Sequence, residues 1–166
     1  LLRNAPSGHV IEGRFDDDTG RKGFEVRGDL AGAIAEHRAG LTVALRRATA
    51  VAAGLGARAI LILPTDLPLL SVEDVRQLAA ELGAGPAVVI APDRQESGTN
   101  ALFERPPGVI ELAFGPDSFR RHRVGAEKAG VKVRIYRAPG TALDVDTPED
   151  WELYQARQLA GRLSPV

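Results

Sequence analysis

A chain of 166 residues with 44% hydrophobic and 26% charged residues has the composition of a globular domain long enough to bury its own core. Its formal net charge of -1 supplies no field that would draw it to nucleic acid or to an anionic membrane. The absence of cysteine excludes disulfides, thiolate zinc sites and cysteine nucleophiles, and suits a reducing cytoplasm, where we expect the protein to reside.

No run approaches the roughly 18 apolar residues of a membrane span, and the amino terminus lacks the basic-then-apolar pattern of a signal peptide. The chain opens Leu1-Leu2 and contains no methionine, which leads us to expect a lost amino-terminal portion. We read residues 1–166 as a single domain, with residues 1–38 irregular. This segment is polar and glycine-rich, and its acidic run Asp16-Asp17-Asp18 reads as a solvated turn.

The period changes near residue 39. Leu41, Leu45, Ala48, Val51, Ala52 and Leu55 recur at helical spacing, and Gly54 and Gly56 stop the helix. Ala59-Ile60-Leu61-Ile62-Leu63 is a continuous apolar run, the pattern of a strand buried on both faces, ended by Pro64. Ser71, with Asp74 three residues on, caps a helix to about Leu82. Ala87-Val88-Val89-Ile90 is a second buried strand, and Ala101-Leu102-Phe103 a short one after a polar loop. A helix over 118–129, an alternating strand over 131–136 and a helix over 147–159 follow. This alternation predicts an α/β layered fold with a mostly parallel sheet.

In such sheets ligands bind at the carboxyl ends of the strands, where three polar segments fall. Asp66, fixed between Pro64 and Pro68, is either a hard-cation ligand or the cap of a turn. The loop Ala91–Asn100 offers hydroxyls and N–H groups to an anion, although an ordinary loop has the same composition. Asp144 and Asp146 stand at alternate positions, as a shared divalent ion requires. One is read as catalytic and the other as structural, because Thr147-Pro148-Glu149-Asp150 is also a good helix start. Phe114-Gly115-Pro116-Asp117-Ser118 precedes a helix and suits either anion binding or capping. Arg120, Arg121 and Arg123 are expected to be solvated or ion-paired. His9, His37 and His122 lack metal-ligand spacing.

Taken in order, "LPTDLPLL", "APDRQESGTNALF", "FGPDSFRRH" and "ALDVDTPED" resemble the guanylyltransferases of coenzyme F-420 biosynthesis, which use 2-phospho-L-lactate or phosphoenolpyruvate. The resemblance covers about residues 40–160. It implies a three-layer Rossmann-like fold of the nucleotide-diphospho-sugar transferase (GT-A-like) type. The implied reaction joins GMP from GTP to a small phosphorylated carboxylic acid and releases pyrophosphate. It further implies that Asp66 and Asp144 are catalytic and hold magnesium, with Asp146 beside them. Thr99, Gly115 and Ser118 would receive the acceptor. The lysine-bearing loop with which that family begins has no counterpart in residues 1–40. The alternatives are a nucleotide-sugar glycosyltransferase and a non-catalytic binding domain of the same architecture. Neither nucleic acid nor membrane is expected as a partner, and homo-oligomerisation is left open.

Overall fold

The computed structural model describes residues 10–16, 21–27, 32–36 and 41–163, with side chains described over 41–159. Strands β1 (Val10–Asp16), β2 (Arg21–Arg27) and β3 (Gly32–Glu36) form an antiparallel meander, pairing Ile11 with Val26 and Phe24 with Ile34. At residues 10–16, 21–27 and 32–36 this corrects the expectation of an irregular segment. The period-two alternation Phe24-Glu25-Val26-Arg27 is short, and Gly13, Gly23 and Gly32 dilute it below what a pattern reading detects. His9, Asp17, Asp18 and His37 lie outside the described residues.

The remaining elements are α1 (Leu41–Gly54), β4 (Ile60–Ile62), α2 (Val72–Leu82), β5 (Ala87–Pro92), β6 (Thr99–Arg105), α3 (Ser118–Lys128), β7 (Lys132–Ile135), α4 (Pro139–Ala142) and α5 (Pro148–Leu163). Strands β4, β6, β5 and β7 form one sheet in that spatial order. The α/β class holds, but the sheet is mixed rather than mostly parallel. Only β5 and β7 pair in parallel, whereas β6 runs antiparallel to both β4 and β5. A parallel connection needs about a dozen residues, and residues 93–98 leave room only for a hairpin.

Asp93 builds that hairpin. Its carboxylate accepts the N–H groups of Ser97 and Gly98, each at 2.8 Å, and the Ser97 hydroxyl at 3.0 Å. A Cβ at Gly98 would lie 2.8 Å from Asp93 Oδ2, so glycine is the residue that permits this approach. Because β6 reverses the chain, its first residue, Thr99, sits at the sheet edge where β4, β5 and β7 end.

Alternate residues of each strand feed two cores. Val88, Ile90, Leu102 and Ile62 pack with Phe119 and Ala126 of α3, with Leu45 of α1 at the margin. Ala87, Val89, Ala91 and Ala101 pack against Leu78 and Leu82 of α2. Ser71 and Asp74 form the reciprocal cap of α2, as expected from their spacing. In α1 the buried residues are Ala44, Ala48 and Thr49, while Leu41, Val51 and Leu55 of the predicted stripe are exposed. Among the described residues no helix is long and apolar enough to cross a membrane.

One acid lies inside the first core. Glu104 pairs in register with Ile60 and Val88 and is fully buried. Its Oε2 accepts the Gly108 N–H at 2.8 Å, and its Oε1 has no partner. Burial pushes its carboxyl from an ordinary 4.5 to about 7. The native state therefore holds a proton that the unfolded chain releases, so stability is greatest below the unfolded value and falls as pH rises through 7. We expect urea titrations to lose on the order of 3 kcal/mol between pH 5 and 8 from this group. Glu104→Gln, which keeps the acceptor for Gly108, should flatten that loss.

Candidate active site

Two groups of side chains gather at the carboxyl edge of the sheet. The first is acidic. β4 ends at Ile62, and the chain passes through Pro64 into the turn bearing Asp66. β7 ends at Ile135 and leads through α4 to Asp144 and Asp146. The two limbs are joined by the backbone, with the Val145 N–H donating to the Asp66 carbonyl at 3.1 Å. Partial burial raises the Asp66 carboxyl above its ordinary range, partly offset by a backbone hydrogen bond. The charges of Asp146 and then Asp144 raise it further. The structure thus brings Asp66, Asp144 and Asp146 into electrostatic contact.

Among the described residues, no three His, Cys, Asp or Glu side chains are drawn close enough to hold a metal ion by themselves. The donor chemistry nevertheless fits magnesium. The candidates are all carboxylate oxygens, their mutual repulsion favours a cation between them, and magnesium commonly takes one or two carboxylates with substrate phosphates.

The α5 cap separates the structural acids from the others. Thr147 Oγ1 donates to Asp150 Oδ2 at 2.8 Å, and the Asp150 N–H returns to Thr147 Oγ1 at 3.3 Å. Asp150, not Asp146, is the acid of that cap, which leaves the Asp146 carboxylate near Asp66.

The position of the second limb depends on α4, an element that sequence periodicity did not reveal. At Gly140 the backbone passes so close to α2 that a Cβ would lie 2.9 Å from the Leu69 carbonyl oxygen and collide with the Asp74 carboxylate. Asp74 also accepts the Tyr136 hydroxyl at 3.0 Å, so the capping acid of α2 anchors the end of β7 as well. Asn100 Nδ2 donates to the Thr141 carbonyl at 3.0 Å and ties α4 to the start of β6.

The second group is made of neutral donors. Gly115 adopts φ 104°, which favours glycine, and its carbonyl accepts the Ser118 N–H at 3.1 Å. The Phe119 N–H donates to the Ser97 carbonyl at 3.1 Å, binding α3 to the β5–β6 hairpin. Two N–H groups of this helix start are thus already committed to carbonyls. Asp117 is the residue before α3 and makes no side-chain cap. Thr99 and Ser118 are both buried, and Gly115 is exposed. Thr99 Oγ1 lies 3.0 Å from Nδ1 of His122. The arginines are engaged as expected: Arg120 pairs with Asp117, Arg123 with Glu127, and Arg121 donates to the Phe114 carbonyl.

His122 has no metal-ligand spacing in the sequence, so its role in this site is not read from a motif. Its spacing of four from Ser118 places the two on one helix face, and that signal was available. Asp74 is legible as the capping acid of α2 and Asn100 lies in one of the four motifs, but their ties to Tyr136 and to α4, like the close approach at Gly140, arise only in three dimensions.

The family model described as "Guanylyl transferase CofC like" matches residues 23–154. A phosphoenolpyruvate guanylyltransferase from Rubrobacter xylanophilus is 48% identical over 111 residues, covering 67% of this chain and 54% of that protein. One from Sphaerobacter thermophilus is 42% identical over 134 residues, covering 81% and 61%. A 3-phospho-D-glycerate guanylyltransferase from Colwellia psychrerythraea is 30% identical over 123 residues, covering 74% and 58%. The chain spans little more than half the length of these relatives.

The raised Asp66 carboxyl makes a separate prediction for the chain alone. A group whose native pKa is raised stabilises the fold below its unfolded pKa and loses that contribution as pH rises. Charged Asp66 therefore costs stability at neutral pH. In chelator-treated samples at pH 7, Asp66→Asn should melt higher than wild type, and the difference should shrink as pH falls toward 4. Thermal unfolding followed by circular dichroism at several pH values measures both.

Proposed function

The chain belongs to the CofC-like guanylyl transferase family, and from that premise we propose that it takes part in transfer of a guanylyl group from GTP to a small phosphorylated carboxylic acid. In this reaction a phosphate oxygen of the acceptor forms a bond to the α-phosphorus of GTP. The bond from that phosphorus to the β-phosphate oxygen breaks, and pyrophosphate leaves with the electron pair. We take phosphoenolpyruvate as the first acceptor to test, because relatives at 48% and 42% identity carry that activity in their names. The 3-phospho-D-glycerate relative makes phosphoglycerate a second reading. The place we assign to the reaction is coenzyme F-420 biosynthesis in the cytoplasm, and the fold we assign is the GT-A-like nucleotidyltransferase type.

The observation that carries this reading is the pairing, at one sheet edge, of an acidic limb with a limb of neutral donors. Nucleotidyl transfer needs anions positioned and their charge neutralised more than it needs covalent help from the protein. Asp66 and Asp144, with Asp146 beside them, would hold magnesium, which when bound supplies the positive charge that lets two anionic substrates approach. Thr99 and Ser118 would donate hydroxyl hydrogen bonds to the acceptor's phosphate and carboxylate, and Gly115 would leave room for it. A glycosyltransferase would leave Gly98-Thr99-Asn100 and Phe114–Ser118 without a role.

Pyrophosphate release from GTP, phosphoenolpyruvate and magnesium is the test, with phosphoglycerate and 2-phospho-L-lactate in parallel. We expect turnover with at least one acceptor. Asp66→Asn and Asp144→Asn should each lower it by roughly 100-fold or more, the scale of losing an electrostatic contact to the reacting phosphates. Calorimetry with each acceptor accompanies the assay. A folded chain that binds none of the acceptors and releases no pyrophosphate would refute the proposal.

A further inference from the structure

His122 is fully buried, and both of its ring nitrogens are engaged. The Ala113 N–H points at Nε2 from 2.9 Å, and a backbone N–H can only donate, so Nε2 accepts and carries no proton. A neutral imidazole has one proton, which must then reside on Nδ1. The doubly protonated ring is excluded by the same contact, and burial, helped by Arg121, lowers the imidazole to about 4. The tautomer is thus assigned by the hydrogen-bond network. Nδ1–H donates to Thr99 Oγ1 across 3.0 Å, and the Thr99 hydroxyl is the acceptor in that pair.

This direction has a consequence for the hydroxyl. A threonine that donated to histidine would have spent its one proton and could only accept elsewhere. Here the proton remains free, and an anion is what such a donor suits. Phe114 meets the His122 ring edge-to-face at 4.8 Å and restrains its plane, while Ser118, one turn earlier on α3, lies on the same buried face.

We propose that His122 is a positioning residue: by donating Nδ1–H to a lone pair of Thr99 Oγ1 it leaves the Thr99 hydroxyl proton free to be donated to a phosphate or carboxylate oxygen of the acceptor. This rests on the reading of Thr99 as an acceptor-binding residue. It assigns the histidine no proton transfer and no contact with substrate. Around metal ions, outer-shell hydrogen-bond partners commonly fix the orientation of the group that makes the contact, and the same logic serves a hydroxyl here.

The test has two parts on the 166-residue chain. Long-range proton–nitrogen correlation spectra of the imidazole ring at pH 7, assigned by comparison with a His122 variant, should show Nδ1 protonated and Nε2 bare. The reverse tautomer or the imidazolium would overturn the inference without any ligand. Calorimetry with phosphoenolpyruvate and magnesium supplies the second part. An asparagine amide at this position mimics Nδ1–H, whereas the glutamine oxygen mimics Nε2. His122→Asn should therefore bind within a few-fold of wild type, and His122→Gln should bind roughly ten-fold more weakly, like Thr99→Val. A merely structural histidine would make the two amide variants equally weak, or leave both unchanged, and either result would overturn the proposal. Should both amide variants unfold, the tautomer of the wild-type ring and the weakening by Thr99→Val with rescue by Thr99→Ser decide the matter. Loss of binding already in the wild type would count against the acceptor reading and remove the donor's role with it. Wild-type binding that none of the variants alters would sink this inference alone.

Discussion

The reversal of the chain between β5 and β6 is the constraint on which the site depends. Were the connection long enough for a parallel crossover, Thr99 would begin its strand at the opposite edge of the sheet, away from Asp66 and Asp144. The Asp93 carboxylate holds the turn closed by gathering the Ser97 and Gly98 N–H groups. The carbonyl of Ser97 then receives the first turn of α3. One short loop therefore sets the strand direction, the placement of Thr99 and the docking of the helix that carries Ser118 and His122.

Around that loop the protein keeps its charges apart by environment. The acidic limb is partly open to water, and desolvation together with the charges of Asp146 and Asp144 raises the cost of ionising Asp66. In the donor limb Thr99, Ser118 and His122 are buried and neutral, the imidazole stays uncharged, and backbone N–H groups are already committed. Glu104 is a third case, an acid placed in the apolar layer with half of its hydrogen-bonding capacity unused. Stability would favour replacing several of these groups. Their arrangement is what a protein bringing anions together near a cation requires, and such sites commonly sit below the local optimum of stability.

Much of this was legible in the sequence. Val88 and Ile90 announce a buried strand by apolar content alone, whereas β4, expected to be buried on both faces, is buried only at Ile62; the Ser71–Asp74 and Thr147–Asp150 spacings announce caps that the structure contains. Four motifs in order carried the family resemblance, and the family match agrees with it. The direction of the sheet was not legible from hydrophobicity, because a buried strand has the same composition whichever way it runs. The length of residues 93–98 carries the direction instead, since it is too short for a parallel crossover. In α1 the predicted stripe holds at Ala48, which is buried, and at Leu45, which packs on the core, but Leu41, Val51 and Leu55 are exposed and Ala44 and Thr49 are buried outside it. His122 was missed because its partners come from Thr99 and Ala113, residues that no helical pattern links to it.

The hydrogen bond from Val145 to the Asp66 carbonyl joins two distant stretches of chain through main-chain atoms alone. Substituting either aspartate leaves those atoms in place, so the spacing of the acidic limb is inherited from the backbone rather than from the acids it displays. Whenever the two loops part, the Val145 amide is the group that water reaches. Its deuterium uptake would report, as a local opening free energy, how often the acidic limb comes apart while the remainder of the fold stays closed.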